Sequence, residues 1–163
     1  MLTERSERCE HAMQIREFMG TQAKACVPED SCAAAAAIMR RCKSGFVPIV
    51  DTHKTRRVIG VVTARDMMLQ LVRLDRSARQ VAVKVCMTSA PETISAEASL
   101  EEAARVMKSA AVPRLPVVER GRLVGVVSLQ DMALAARRQW AYVGQHVTEQ
   151  QVTEILEAIA RRL

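Results

Sequence analysis

The pattern of apolar and polar positions along this chain occurs twice. Residues 19–51 align with residues 87–119 without a gap, and after three extra residues in the first copy, 60–66 aligns with 125–131. The identical positions include paired methionines, prolines and glycines, namely Met19 and Met87, Pro48 and Pro116, and Gly60 and Gly125. A match of this extent indicates an internal repeat, and each copy is expected to fold as one structural unit.

Each copy is predicted to form a β-α-β-β-α unit. A short extended stretch precedes a helix with a serine N-cap, Ser31 or Ser99, and Glu102 completes a capping box in the second copy. An apolar strand with an early proline follows, and a polar turn then leads to a β-branched strand and a second helix. The predicted segments are 25–27 and 93–95, the helices beginning at 32 and 100, the strands 46–50 and 115–118, the strands 58–63 and 123–128, and the helices beginning near Ala64 and Leu129.

The repeats leave three further segments. The predicted organisation is an N-terminal helical extension (1–12), the first repeat (13–75), a charged linker (76–80), the second repeat (81–138) and a C-terminal helix (139–163). The last helix has a capping box at its start and one apolar stripe, formed by Val152, Ile155, Leu156, Ile159 and Leu163. The stripe is expected to dock on the chain's own repeats or on a second subunit, and a surface for a different protein is the alternative.

Aromatic residues are scarce, at 2% of the chain. The core is therefore predicted to be aliphatic, and binding of single-stranded nucleic acid, which relies on stacked aromatic side chains, is disfavoured. The net charge is +6, but the basic residues occur as scattered pairs, which is typical of solvated helix faces. This charge is still compatible with a phosphate-bearing small ligand.

The five cysteines form no C-x-x-C pair, and neither they nor the three histidines have the spacing of metal ligands. The chain starts with charged residues where a signal peptide would be apolar, and no apolar run approaches the length of a membrane span. We therefore expect free thiols, no metal site and a cytoplasmic location away from membranes.

Each β-branched strand ends in a hydroxyl residue that is followed three positions later by an aspartate. In a structural interpretation, Thr63 with Asp66 and Ser128 with Asp131 are capping boxes of the following helices. In a functional interpretation, the hydroxyl and the helix N-terminus bind phosphate, and the carboxylate accepts hydrogen bonds from a ribose diol. The recurrence of the motif, with glycine and proline at matched positions, favours the functional interpretation.

This ordered and doubled pattern resembles a pair of cystathionine β-synthase (CBS) domains over roughly residues 13–138. The resemblance implies an α/β fold with α+β character, in which two tandem β-α-β-β-α CBS repeats pack about a pseudo-twofold axis and leave two clefts. It also implies a stand-alone regulatory module that forms a homodimer and has no active site or catalytic cofactor. The implied ligand is an adenosyl nucleotide: AMP, ADP, ATP or S-adenosylmethionine.

The resemblance also assigns roles to particular residues. The ribose is expected on Asp66 and Asp131, and phosphate near Thr63 and Ser128. The base is expected against the two proline strands, Phe46-Val47-Pro48 and Arg114-Leu115-Pro116, and against the first extended stretch, which is Thr93-Ile94 in the second copy. The first copy has Ala25-Cys26 there and lacks that hydroxyl. Arg65 and Arg114 are further candidates for neutralising phosphate.

Three other functions stay open from the sequence. The boxes could serve only as caps in a ligand-independent dimerisation or protein-interaction module that uses the C-terminal helix. Cys26, Cys32 and Cys42 could form a redox or metal sensor. The basic surface could bind nucleic acid, against which the scattered charge and scarce aromatics argue. No catalytic constellation or phosphate-binding glycine loop is present in the sequence, and the protein that a sensor of this kind would regulate is not identified by it.

Overall fold

A computed structural model of the chain describes residues 13–21 and 23–135, together with 153, 154 and 157. Its strands are β1 (Gly20–Thr21), β2 (Phe46–Val50), β3 (Val58–Thr63), β4 (Thr88–Ser89), β5 (Ile94–Ser95), β6 (Arg114–Glu119) and β7 (Arg122–Ser128). Its helices are α1 (Cys32–Cys42), α2 (Ala64–Leu74), α3 (Leu100–Ala110) and α4, which is described over 129–135. The two predicted β-α-β-β-α units are thus confirmed, with an isolated bridge of Cys26 to Ile49 as the first strand of the first unit.

The strands form two sheets, which define two lobes. In lobe 1 the order is β2-β3-β4, and in lobe 2 it is β1-β7-β6-β5. Each lobe has its own aliphatic core, formed between its sheet and its helices. The expected scarcity of aromatic core residues is confirmed, since Phe18 is the only aromatic side chain that packs against either core in the described part of the chain.

The two repeats exchange their N-terminal segments, which the sequence pattern did not predict. Strand β1 of the first repeat pairs antiparallel with β7 of the second, while β4 of the second repeat pairs with β3 of the first. The 3-10 turns that precede these strands follow the same exchange, since Ile15 is buried in the core of lobe 2 and Val83 in the core of lobe 1. Each lobe therefore depends on residues from both repeats.

The paired glycines of the repeat are explained by this exchange. A Cβ atom at Gly125 would lie 2.6 Å from Met19 Sδ and 2.8 Å from the Gly20 carbonyl oxygen. At Gly60 it would lie 2.9 Å from Met87 Sδ and 3.1 Å from the Thr88 carbonyl oxygen. In each lobe, a methionine and the exchanged strand of the other repeat thus pack directly over a glycine. A side chain at the glycine position would prevent this close approach.

The predicted helix caps are formed, with one difference. Ser31 Oγ accepts a hydrogen bond from the Ala34 N–H, and Ser99 Oγ accepts one from the Glu102 N–H, each at 3.2 Å. The Glu102 side chain forms no return hydrogen bond to Ser99 among the described residues, so the predicted capping box is only half present. The exposed carboxylate faces water instead, which satisfies it at no cost.

A loop that is three residues longer in the first repeat than in the second ties the two lobes together. The three extra residues lie between β2 and β3, where Arg56 has a φ of 54°. The Arg56 guanidinium donates hydrogen bonds to the carbonyl oxygens of Leu123 (3.2 Å) and Ala23 (2.8 Å), and the Arg56 carbonyl accepts one from the Leu123 N–H (2.8 Å). The two contacts with Leu123 cross from the first repeat to the second and hold the loop against lobe 2, whereas the contact with Ala23 stays within the first repeat.

The predicted N-terminal extension and most of the predicted C-terminal helix, including its apolar stripe, lie outside the described residues. Residues 153, 154 and 157 are helical, and the Glu154 carboxylate pairs with the Lys108 ammonium of α3 at 2.6 Å. Within the described residues, no helix combines the length and the apolar character needed to cross a membrane.

Candidate nucleotide-binding clefts

Two clefts open between the lobes. The first has a volume of about 350 Å³ and lies between the Ser128–Asp131 box of lobe 2 and the proline strand β2 of lobe 1. Strand β1 and the end of α1 close its sides, with Lys24 and Lys43 at its wall. Volumes of about 300–1,000 Å³ are typical of small-molecule sites, so this cleft is within the usual size range of such a site.

The second cleft has a volume of about 330 Å³ and the converse composition. It lies between the Thr63–Asp66 box of lobe 1 and the proline strand β6 of lobe 2. Its wall is formed by the segment after β4, which includes Pro91 and Glu92. Phe46 and Arg114, which occupy equivalent positions in the two repeats, line both clefts.

Each cleft therefore combines the box of one repeat with the proline strand of the other. Asp131 shares the first cleft with Phe46 and Pro48, and Asp66 shares the second with Arg114 and Pro116. This crossing follows from the pseudo-twofold arrangement of the lobes, and the residues of one repeat by themselves do not form a site.

Both boxes are fully formed as helix caps. The Thr63 hydroxyl and N–H donate to Asp66 Oδ2 at 2.6 and 3.1 Å, and the Asp66 N–H donates to Thr63 Oγ1 at 3.2 Å. Ser128 and Asp131 make the same three contacts at 2.6, 2.9 and 3.2 Å. The structural interpretation of the motif is thus confirmed, and a shorter aspartate suffices for the return contact.

Capping occupies only one oxygen of each carboxylate. All hydrogen bonds that the described residues make to Asp66 and Asp131 fall on Oδ2, so Oδ1 of each is available to the cleft that the side chain lines. The cap also fixes the carboxylate orientation. The structural and functional interpretations are therefore compatible, because one oxygen caps the helix and the other has no hydrogen bond from a described residue.

The predicted site residues divide according to strand alternation. The side chains of Phe46, Pro48, Thr63, Asp66, Arg114, Pro116, Ser128 and Asp131 line the clefts. Val47, Ile94 and Leu115 point away from the clefts into the cores, because successive residues of a strand face opposite sides. Any contact of these three with a ligand would come from their backbone.

Two further predicted residues lie outside the cleft linings. Thr93 is half-buried and precedes β5 without facing either cleft. Arg65 is exposed on the first turn of α2, although Gln130, which occupies its equivalent position in the second repeat, lines the first cleft. Arg65 therefore does not line the second cleft.

The sequence interpretation missed several lining residues with polar or charged side chains. Lys24, Lys43 and Ser44 line the first cleft, and Glu92 lines the second. The aligned repeats could have indicated these residues, because each lies only a few residues before a predicted site segment of its repeat. Lys43 ends α1 in the left-handed conformation, with a φ of 48°, a position at which the sequence pattern does not indicate a ligand contact.

The cysteines do not form the trio that the sensor hypothesis required. Cys26 and Cys32 are buried in the lobe 1 core, and Cys42 is exposed at the first cleft. The Cys32 thiol instead contacts the Cys86 thiol at an Sγ–Sγ distance of 3.6 Å. Burial raises the pKa of Cys26 to about 11 and that of Cys86 to about 12, so these thiols stay protonated at neutral pH.

A family model for the CBS domain matches the chain twice, at residues 15–73 and 79–138. The chain belongs to the CBS domain family. Its two matches make it a tandem CBS pair, in agreement with the two lobes described above.

Among curated proteins, this CBS pair is similar to the uncharacterized protein YlbB of Bacillus subtilis, with 29% identity over 122 residues that cover 75% of this chain and 81% of that protein. It is also 29% identical to inosine-5'-monophosphate dehydrogenase of Staphylococcus epidermidis over 119 residues, which cover 73% of this chain but only 23% of the enzyme. The chain thus matches less than a quarter of the dehydrogenase.

Solved structures show the same fold. The structure of Hypoxic Response Protein I with two coordinated zinc ions has a TM-score of 0.66 and 27% identity, and covers 75% of this chain and 98% of that one. The structure of CBSX2 in complex with AMP has a TM-score of 0.64 and 25% identity, and covers 77% of this chain and 96% of that one. In this CBS pair, no three His, Cys, Asp or Glu side chains of the described residues are grouped as metal ligands.

Proposed function

We propose that this CBS pair is a non-catalytic regulatory module that binds an adenosyl nucleotide in the clefts between its lobes. The observation that carries the proposal is the composition of the first cleft. It combines a pre-oriented Asp131 carboxylate, an opposing wall of Phe46 and Pro48, and three cations, Lys24, Lys43 and Arg114. A ribose diol, an adenine ring and phosphates would each meet a matching group there.

The cations support a phosphate-bearing ligand because their charged groups are not neutralised within the described part of the chain. None of Lys24, Lys43 and Arg114 forms an ion pair with a described residue. Unpaired cations gathered around a cleft attract an anion and raise its local concentration. The complex of the related CBSX2 with AMP supports the choice of an adenine nucleotide.

The proposed mechanism is a shift between arrangements of the two lobes. A nucleotide in the first cleft would contact the Asp131 box of lobe 2 and the Phe46 strand of lobe 1 at once. It would therefore favour the arrangement in which both contacts form, by its difference in affinity for the two arrangements. A regulated partner would sense that change.

The test is calorimetric titration with AMP, ADP, ATP and S-adenosylmethionine, together with an Asp131→Asn variant. The amide oxygen of asparagine still accepts the capping hydrogen bonds of Ser128, so the helix cap is kept while an acceptor for the ribose is lost. We expect ligand affinity at the first cleft to fall about 10- to 100-fold, the range for a hydrogen bond to a charged group.

Asp75→Asn is the matched control, since Asp75 ends α2 outside both clefts and asparagine tolerates its φ of 49°. The proposal would be contradicted by the absence of binding for all four ligands at millimolar concentration in folded protein, or by equal affinities of the Asp131→Asn and wild-type proteins.

We also propose that the module forms a homodimer through α2. This helix exposes Met68 (57%), Leu69 (55%) and Val72 (77%), which form one apolar strip on its surface. The equivalent position of Leu69 in the second repeat is Leu134, which is 50% exposed on α4. Because α2 and α4 each expose a leucine at this one equivalent position, a second copy related by a twofold axis would cover the α2 strip and Leu134 together.

A further inference from the structure

The two clefts differ in charge at positions that the repeat makes equivalent. Lys24 in the wall of the first cleft corresponds to Glu92 in the wall of the second. Lys43, at the left-handed end of α1, corresponds to Ala111 at the left-handed end of α3. The neighbouring Ser44 corresponds to Val112.

These differences all act in the same direction. The first cleft contains three cations and one carboxylate, which is a net charge of +2. The second contains Asp66, Glu92 and the shared Arg114, which is a net charge of −1. If the exposed Arg65, which is next in sequence to the lining residue Asp66, is counted as well, the second cleft is neutral and still two charges less positive than the first.

The polar character of the walls differs in the same way. In the second cleft, Pro91, Val112 and Pro113 occupy positions equivalent to Ala23, Ser44 and Gly45 of the first repeat. The second cleft thus offers apolar surface and carboxylates, where the first offers ammonium groups and a hydroxyl. The Asp66 box and the proline strand β6, which would hold ribose and base, are retained.

We propose that the two clefts take different classes of ligand: phosphorylated adenine nucleotides in the first, and phosphate-free adenosyl compounds, neutral or cationic, in the second. Glu92 is the specificity-determining residue of the second cleft. The inference rests on the proposed function, because it assumes that both boxes hold an adenosyl group. Its physical basis is that a phosphate chain beside Glu92 and Asp66 is repelled, whereas a cationic side chain is attracted.

The test is calorimetric titration of the full chain with ATP, adenosine and S-adenosylmethionine, in which Asp131→Asn and Asp66→Asn assign the heats to the clefts. In the wild-type protein we expect one high-affinity ATP site and one site for S-adenosylmethionine and adenosine. Asp131→Asn should weaken the first about 10- to 100-fold, and Asp66→Asn should weaken the second by a similar factor. The decisive variant is Glu92→Lys, which installs the residue of the equivalent position of the first cleft.

Glu92 is exposed and forms no ion pair with a described residue, so its replacement should not unfold the protein. An exposed charge pair changes affinity by up to about fivefold, so a charge reversal, which doubles the free-energy difference, should change it by up to about 25-fold. We expect Glu92→Lys to weaken S-adenosylmethionine by up to that factor, to leave neutral adenosine unchanged, and to add a second ATP site. Thermal unfolding of the variant is the control for folding.

Three results would overturn the inference while leaving the proposed function intact. These are equal ATP affinity of both clefts in the wild-type protein, binding of ATP at the first cleft with no ligand at the second, and an unchanged ATP stoichiometry in Glu92→Lys. Absence of binding for all three probes would instead contradict the proposed function itself. The two failures are therefore distinguishable in one set of titrations.

Discussion

Replacement of Gly125 by alanine should destabilise lobe 2 by displacing the strand exchanged from the first repeat. The added Cβ would stand 2.6 Å from Met19 Sδ and 2.8 Å from the Gly20 carbonyl oxygen. The methionine side chain can rotate away, but the oxygen belongs to β1, which pairs with β7 at Gly20 and Thr21. Ordinary contacts begin near 3.4 Å, so β1 must retreat by about 0.6 Å.

Overpacking of this kind costs about 1–3 kcal/mol, and we expect the upper half of that range because backbone must move. At Gly60 the corresponding oxygen is 3.1 Å away, so a retreat of about 0.3 Å suffices and the cost should be smaller. At Gly45 the nearest atom is Ala64 Cβ at 3.7 Å, and no φ in the left-handed region restrains the residue. Gly45→Ala is therefore a control expected to be neutral or slightly stabilising.

The assay is urea denaturation of the three variants beside the wild-type protein, with the free energy of unfolding taken from midpoint and slope. The expected order of destabilisation is Gly125→Ala, then Gly60→Ala, then Gly45→Ala. Because Gly20 and Thr21 line the first cleft, Gly125→Ala should also weaken nucleotide binding there. If Gly125→Ala matched Gly45→Ala in stability, the packing of β1 over the glycine would be refuted.

Three further predictions concern the cap, the thiols and the dimer. Ser128→Ala should lower the free energy of unfolding by about 1 kcal/mol, since it removes the N-cap hydroxyl of α4, whereas threonine at the same position should preserve it; urea denaturation compares them. Iodoacetamide at pH 8 should modify exposed Cys42 before the buried Cys26 and Cys86, because a pKa of about 11 leaves only about one Cys26 thiol in a thousand ionised and Cys86 still fewer. Mass spectrometry of the peptides measures the rates, and equally fast modification of the buried thiols would contradict the prediction. Val72→Glu should convert a dimer into monomers in sedimentation velocity, and a wild-type protein that is itself monomeric would contradict the proposed α2 interface.

The repeat, its elements and its caps could be read from the sequence because each is set by neighbouring residues. Strand β3 ends at Thr63 and α2 begins at Ala64, as the pattern indicated, because the hydroxyl that ends the strand also caps the helix. The doubled box similarly identified Asp66 and Asp131, the carboxylates that face the clefts. The hydrogen bonds of each box join residues only three positions apart, so the box can be predicted from the sequence without knowledge of the fold.

The tertiary structure decided what the repeats do with each other. Strands β1 and β4 have only two residues each, too few for a hydrophobic period, and their partners lie in the other repeat. The same exchange explains why Gly60 and Gly125 need to lack side chains. Whether a residue of a proline strand faces a cleft or a core, and which box it meets, depends on how the lobes pack about their pseudo-twofold axis. Lys24 and Glu92 carry opposite charges at equivalent positions of the two repeats. This becomes a difference between two binding sites only in the folded arrangement, because charges act through space and not along the chain.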